Sequence, residues 1–258
     1  MFLTDLVRLS DKGHCESLSK LRGLATTVSF RAKLDRSRRI VSRWLLQSRY
    51  PVMSCGGGKD STATLLLVHG EDPMVPVLCA DPPNPLPDRD AHIAALERAD
   101  NGRWIHVAYS WDVEAYGRGD VPHPGRLKIR RLSERFAAER FDGLAMGLRS
   151  AESRARWSLI ATRGQIYQTA ERLTCLPVAD WSAAEVLGWL LLLDDFVPLN
   201  PVYRKLRLAP PLDYLHDGTW RAPPVARHKG YLEWVRLHYP EVIDRATAVA
   251  RRDDAEGR

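Results

Sequence analysis

The segment Pro51-Val-Met-Ser-Cys-Gly-Gly-Gly-Lys-Asp-Ser-Thr62 constrains this chain more than any other. A short apolar run feeds three consecutive glycines, and Lys59 to His69 then carries helical spacing. The order is strand, glycine turn, helix. Glycine tolerates positive φ and lets a backbone approach a ligand closely. The first N–H groups of a helix lack intrahelical partners, and the helix dipole favours an anion beside them. Ser61 and Thr62 add hydroxyls, and Lys59 adds a positive charge. Asp60 suits such a place when it helps hold a cation, so a phosphate–magnesium site is the economical reading. Ser54, Cys55, Gly56, Gly57, Gly58, Lys59, Ser61 and Thr62 then line the anion, with Asp60 on the metal. A plain turn with a good cap would not need three glycines. A Walker A loop is excluded by spacing, because Met53 stands where its first glycine belongs and Asp60 where Ser or Thr must follow the lysine.

Further along, strand-like and helix-like segments alternate. Val75–Ala80, Trp104–Ser110, Asp142–Leu148 and Arg172–Val178 read as strands. Lys33–Ser48, Asp88–Ala99, Pro124–Glu139 and Ser153–Thr162 read as helices. Ser182–Leu193 reads as a helix opened by a capping box of Ser182 and Glu185. The pattern predicts an α/β fold, a mainly parallel twisted sheet between helices, with helical terminal additions. We divide the chain into an arm over 1–32, a nucleotide domain over 33–203 and an irregular or helical extension over 204–258. In that extension Pro210–Pro224 reads as irregular, and Gly230–His238 and Glu241–Arg251 read as closing helices. Residues 1–30 are weakly periodic and read as a mobile or docking arm.

Charge and cysteine usage narrow the partners. The net charge is +6, from 38 Lys+Arg and 32 Asp+Glu. It gathers in Arg31–Arg49, with seven basic residues and one acidic, and in Arg118–Arg163, with eleven basic and five acidic. Such windows are either solvated helix faces or surfaces for an anionic partner, nucleotide or nucleic acid. Trp104, Trp111 and Trp157 would suit a nucleic acid, or a core. The four cysteines are spread out with no CxxC pair, which excludes a zinc knuckle and suggests a reducing, cytoplasmic setting. No apolar run approaches the roughly 20 residues of a membrane span, and the N-terminus lacks a signal-peptide pattern.

Gly57-Gly58-Lys59-Asp60-Ser61-Thr62 resembles the SGGxDS pyrophosphate loop of the N-type ATP pyrophosphatases, with Gly56 in place of the leading serine. Gly147-Leu-Arg-Ser-Ala-Glu-Ser-Arg-Ala-Arg156 is similar to the GxRxxESxxR segment of the phosphoadenosine phosphosulfate (PAPS) reductase branch. Pro177-Val-Ala-Asp-Trp-Ser182 and Val197-Pro-Leu-Asn-Pro-Val-Tyr203 resemble that branch's next two elements, in the same order. The resemblance covers about Pro51 to Tyr203 and implies an adenine nucleotide alpha hydrolase-like fold. It implies ATP and Mg2+ as cofactors and cleavage of ATP to AMP and pyrophosphate, which activates an acceptor.

On the residues themselves, Arg149 follows a short apolar strand, where α/β sheets place ligands. Arg149, Arg154 and Arg156 can present planar forks to phosphates, with Glu152 orienting one of them. They can equally form a surface ion-pair cluster. Asp81, ending the second strand, can meet a ribose hydroxyl or the metal, or simply cap its loop. Lys59, Asp60, Ser61 and Arg149 are the candidate catalytic residues. No cysteine follows Cys175, which disfavours a sulfonucleotide reductase, since relatives of that kind carry a C-terminal catalytic cysteine. The resemblance points instead to sulfur incorporation, with DNA phosphorothioation as the leading pathway and a cysteine desulfurase as sulfur donor. Cys55, Cys79 and Cys175 are candidate persulfide carriers or buried hydrophobes. The alternatives are tRNA or small-molecule thiolation and a non-catalytic ATP sensor.

Overall fold

The computed structural model describes residues 11–82, 86–100, 102–109, 124–205 and 231–242. Trp111, the Pro210–Pro224 segment and most of Glu241–Arg251 lie outside them.

Five parallel strands and one antiparallel edge strand form a single sheet in the order β3-β2-β1-β4-β6-β5. The strands are β1 (Pro51–Cys55), β2 (Val77–Asp81), β3 (Trp104–Ala108), β4 (Gly143–Met146), β5 (Ile166–Gln168) and β6 (Leu173–Cys175). This is the α/β class expected from the alternation. β5 was not foreseen: three residues with exposed Gln168 give no alternation to read, and the strand exists by pairing antiparallel with β6.

The chain leaves β1 through α3 (Lys59–His69) to β2, then through α4 (Pro87–Ala99) to β3. It returns through α5 (Pro124–Ala138) to β4, on the other side of β1. Right-handed crossovers running in opposite directions along a sheet must lie on opposite faces, and the core follows that rule. Met53, Cys55 and Val77 face one cluster with Ala63, Leu65, Leu67 and Leu96. Val52, Leu78, Ile105, Val107 and Leu144 face the other, with Phe136 of α5. The switch of direction falls between β1 and β4. Open α/β sheets bind ligands at the carboxyl ends of strands at such a point.

The first cluster is closed by α2 (Val28–Gln47) and α7 (Ala183–Leu192). On α2, Phe30, Ser37, Ile40, Val41 and Trp44 are buried, a helical stripe. Phe30 meets Trp181 edge-on at 4.8 Å, and the Trp181 indole N–H donates to Ser37 Oγ at 3.0 Å. On the outer face, Arg36 pairs with Asp180 at 2.9 Å and the half-buried Lys33 with Glu185 at 2.9 Å. The first basic window is therefore largely a solvated helix face. Thr27 caps α2, accepting from the Phe30 N–H at 3.2 Å, so the helix begins five residues before Lys33 and the boundary drawn at 33 falls inside it.

Of the two readings of the arm, mobile or docking, the described part takes the second. Asp11–Ala25 is a helix, α1, and Leu21 and Ala25 are buried against α7. Gly188 explains the docking: a Cβ there would lie 2.1 Å from the Leu21 carbonyl oxygen. Only glycine allows the two backbones to pass so closely, and a single glycine in an apolar helix carries no periodic signal in the sequence. α7 has the expected capping box, with the Glu185 N–H donating to Ser182 Oγ at 3.2 Å and the Ser182 N–H donating to Glu185 Oε2 at 2.7 Å. Two further helices are α6 (Arg154–Arg163) and α8 (Tyr231–His238). Among the described residues no helix is long and apolar enough to cross a membrane.

Candidate active site at the glycine loop

Gly56–Gly58 turn the chain from β1 into α3, with Gly57 at φ 82°. That is the left-handed region, which glycine enters without the Cβ penalty. A Cβ at Gly56 would meet nothing within 4 Å, so the loop opens onto free space where a ligand can approach.

The loop is held from below by two residues far away in sequence. Asn200 Nδ2 donates to the Gly57 carbonyl at 3.2 Å, and His92 of α4 packs at the same carbonyl. In a trans peptide the C=O and the following N–H point oppositely. Anchoring the Gly57 oxygen on buried Asn200 therefore turns the Gly58 N–H away from it. The Lys59 N–H donates to Tyr203 Oη at 2.9 Å, so that donor is already committed within the protein.

Side chains complete the loop. Ser61 Oγ accepts from the Gly56 N–H at 3.3 Å and donates to the Gly58 carbonyl at 2.9 Å, with Cys55 Sγ 3.8 Å away. Ser61 thus staples the loop's two ends. Thr62 Oγ1 is buried and finds no partner among the described residues, which accords with a polar ligand at the loop. Ser54 alternates with Cys55 along β1 and lies on the face of Val52, opposite to α3. Its neighbours are Leu78 and Met146, its register partners.

The charged group is more compact than expected. Asp60 Oδ2 accepts from Lys59 Nζ at 2.8 Å, and Asp60 Oδ1 accepts from Arg149 Nε at 2.7 Å. Lys59 is 4% exposed and Arg149 0%. Arg149 arrives here from the end of β4 because Gly147 lets the strand pass the start of α3. A Cβ at Gly147 would sit 2.4 Å from the Asp60 carbonyl. Each carboxylate oxygen of Asp60 accepts from one cation, so a metal ion there would stand against two positive charges. The residues fit a polyphosphate: an open glycine loop, an orphan hydroxyl and two buried cations. They fit a direct Asp60–magnesium contact less well.

The other expected residues lie around this group. Arg156 is half-exposed and pairs with Glu152, whose carboxylate also accepts from the Arg149 N–H at 2.8 Å. Glu152 thus orients an arginine, as the motif suggested. Arg154 stands exposed on the first turn of α6. Trp157, 63% exposed, lies on the same helix, none of whose residues is buried. Asp81 is not brought onto the Lys59–Asp60–Arg149 group. Its partners are Arg89 at 3.3 Å and His106 Nδ1 at 2.9 Å. Cys55, Cys79 and Cys175 are all buried, and burial pushes the thiols of Cys79 and Cys175 well up from their ordinary value. Thiols held protonated are poor sulfur nucleophiles. Sequence reasoning assigned no role to Asn200, Tyr203, His92 or Gly147. The first two stand in the quoted Asn-Pro-Val-Tyr element, so the signal was present without its meaning.

No curated protein matches the chain. Solved structures do resemble it. A PAPS reductase from Candida auris, in a phosphate complex, is 13% identical with a TM-score of 0.52, over 84% of this chain and 98% of that one. FMN adenylyltransferase from Candida glabrata, with FAD and inorganic pyrophosphate, is 13% identical with a TM-score of 0.51, over 75% and 69%. The same enzyme with FMN and the ATP analogue AMPCPP is 14% identical, also at 0.51, over 75% and 69%. These likenesses concern the fold. Residues 50–206 match the phosphoadenosine phosphosulfate reductase domain, a span that runs from the head of β1 through Asn200 and Tyr203. Since that match takes in more than half of the sequence, this chain belongs to the phosphoadenosine phosphosulfate reductase domain family.

Proposed function

We propose that the chain is an ATP pyrophosphatase that cleaves between the α and β phosphates and passes the adenylyl group to an acceptor for sulfur incorporation. Family membership and the nucleotide complexes of the structural neighbours support an adenine-nucleotide site. The observation that carries the reading is the convergence of buried Lys59 and Arg149 on Asp60 at the mouth of the glycine loop. An oxygen nucleophile attacks the α-phosphorus and the bond to the bridging oxygen breaks, so pyrophosphate leaves with the electron pair. The Gly58 N–H and Lys59 face the charge growing on that leaving group, while Arg149 steadies the α-phosphate. Prepositioned donors and cations of this kind are usually the largest catalytic term. Asp60 fixes both cations, so little reorganisation is needed at the moment of cleavage. Magnesium, when bound with the nucleotide, would add charge neutralisation on the polyphosphate.

For the acceptor, the exposed face of α6 favours a nucleic-acid backbone, DNA first. α6 carries Arg154, Arg156 and Arg163 with exposed Trp157 and has no acidic residue. Arginines with an exposed aromatic suit phosphates and an unstacked base. The buried cysteines favour delivery of sulfur from outside, as from a cysteine desulfurase, over a persulfide on this chain.

Incubation of the purified chain with ATP and magnesium tests the reaction. AMP and pyrophosphate are expected, at a rate raised by the acceptor. Release of ADP and orthophosphate would overturn the assignment, and ATP binding without turnover would leave a sensor.

A further inference from the structure

One strand away from the loop, a thiol, a carboxylate and an imidazole meet. The ligand atoms of Cys79, Asp81 and His106 all lie within 4.8 Å of one another. Strand register creates the group: Cys79 of β2 stands opposite His106 of β3, and Asp81 follows Cys79 on the same side of its strand. Cys79 is buried, while Asp81 and His106 are partly open, so the cluster has a closed floor and an accessible rim.

The imidazole is held between two carboxylates. Nδ1 lies 2.9 Å from Asp81 Oδ2, and Nε2 contacts Glu97 Oε1. An imidazolium donates at both nitrogens and satisfies both contacts, whereas a neutral imidazole satisfies only one. A metal cation between Nδ1 and Oδ2 takes the place of the second proton. It also leaves the Nε2–H to donate to Glu97, the carboxylate–histidine–metal arrangement that fixes ligand tautomers. Zinc–ligand bonds of about 2.0–2.3 Å put the ligands of a tetrahedral ion roughly 3.3–3.5 Å apart. Arg89, the cation beside the cluster, donates to the Ala80 carbonyl at 2.7 Å, to Cys79 Sγ at 3.6 Å, to Asp81 Oδ1 at 3.3 Å and to Asp90 at 2.8 Å. Asp81 Oδ1 thus accepts from Arg89 and from the Cys79 thiol at 3.8 Å, and Oδ2 faces His106. A sulfur–nitrogen–oxygen donor set selects a borderline transition metal over magnesium or calcium.

We propose that Cys79, Asp81 and His106 bind one divalent transition-metal ion of the zinc class, the Cys79 thiol releasing its proton to solvent as the metal binds, with Glu97 orienting His106 and a fourth position open to water or an incoming ligand. The proposal is independent of the pyrophosphatase reading. Cobalt(II) titration of the full-length, chelator-treated chain tests it. One equivalent is expected to bind, with the visible bands of a tetrahedral ion and a thiolate-to-cobalt charge-transfer band, and zinc displaces it. H106Q is expected to weaken binding at least tenfold, and C79S to remove the charge-transfer band while keeping weaker binding. C175S keeps the band, which assigns the sulfur. Circular dichroism shows whether each variant folds, and D81N provides a second ligand deletion should H106Q not fold. Absence of the charge-transfer band at one equivalent, or cobalt affinity unchanged in both H106Q and D81N, would overturn the proposal.

Discussion

At the scale of single residues, Asp60 governs the candidate site. The sequence placed it beside a metal, and the structure adds that one oxygen meets Lys59 and the other Arg149. The reason the pairing was not legible is distance: Arg149 lies 89 residues away, and no local pattern shows that Gly147 lets the two meet. Asp60→Asn keeps the shape but turns an amide N–H2 toward one of the two cations. Pyrophosphate release is expected to fall about 10²–10³-fold, the scale for misplacing a preorganised electrostatic group. Part of the loss is expected as lowered stability, since depriving a buried charge of its partner costs about 3–5 kcal/mol. Steady-state kinetics beside circular dichroism separates the two, and turnover equal to the parent would refute the role of Asp60. The loop glycines themselves were legible, because their backbone demands are written in composition. Among the three arginines of the second block, Arg149 was set apart by the strand before it, and the structure buries it while leaving Arg154 in solvent.

Elements were read with uneven success, for reasons that differ from case to case. α7 was plain from its capping box and apolar run, because both signals are local. β5 was invisible, because its existence depends on β6 beside it. α1 was read as part of a mobile or docking arm, and the contact that decides for docking lies on α7, far along the chain. That docking turns on Gly188. Gly188→Ala places a methyl where the Leu21 carbonyl stands, 2.1 Å away. In an isolated helix this substitution would stabilise by roughly 0.5–1 kcal/mol. Here overpacking, typically about 1–3 kcal/mol, wins. α1 is expected to detach while the sheet persists. Limited proteolysis reads the outcome: cleavage between α1 and α2 quickens several-fold, and an unchanged digestion rate would show that α7 can yield instead.

For the whole molecule, acid stability follows from groups the fold removes from water. Burial is the main cause that lowers the His92 pKa from 6.5 to about 4, with Arg89 acting the same way and the Gly57 carbonyl opposing. The unfolded chain then takes up that proton more readily than the folded one. This contribution is complete above pH 6.5 and is lost as pH falls toward 4, at most about 3 kcal/mol by linkage. Two carboxylates act in the same direction lower down. Burial opposes the ionised form of both, but hydrogen bonds outweigh it. Asp142 is held below its ordinary value by Ser48 and the Tyr50 and Arg49 N–H groups, and Glu185 by Lys33 and Ser182. Urea unfolding at stepped pH is expected to show stability falling from pH 7 to 4, with a shallower slope in His92→Phe. A flat profile would contradict the burial of a neutral imidazole. Topology at this scale was the most legible property, since alternating periods and right-handed crossovers leave few arrangements open. One consequence concerns time rather than space. The Gly57 carbonyl and the Lys59 N–H are held by Asn200 and Tyr203, 143 and 144 residues further along the chain. Contacts of such long range close late in folding. On the ribosome, a nascent chain that already carries its glycine loop still lacks the residues that hold it, so competence for nucleotide must wait until Asn200 and Tyr203 have emerged.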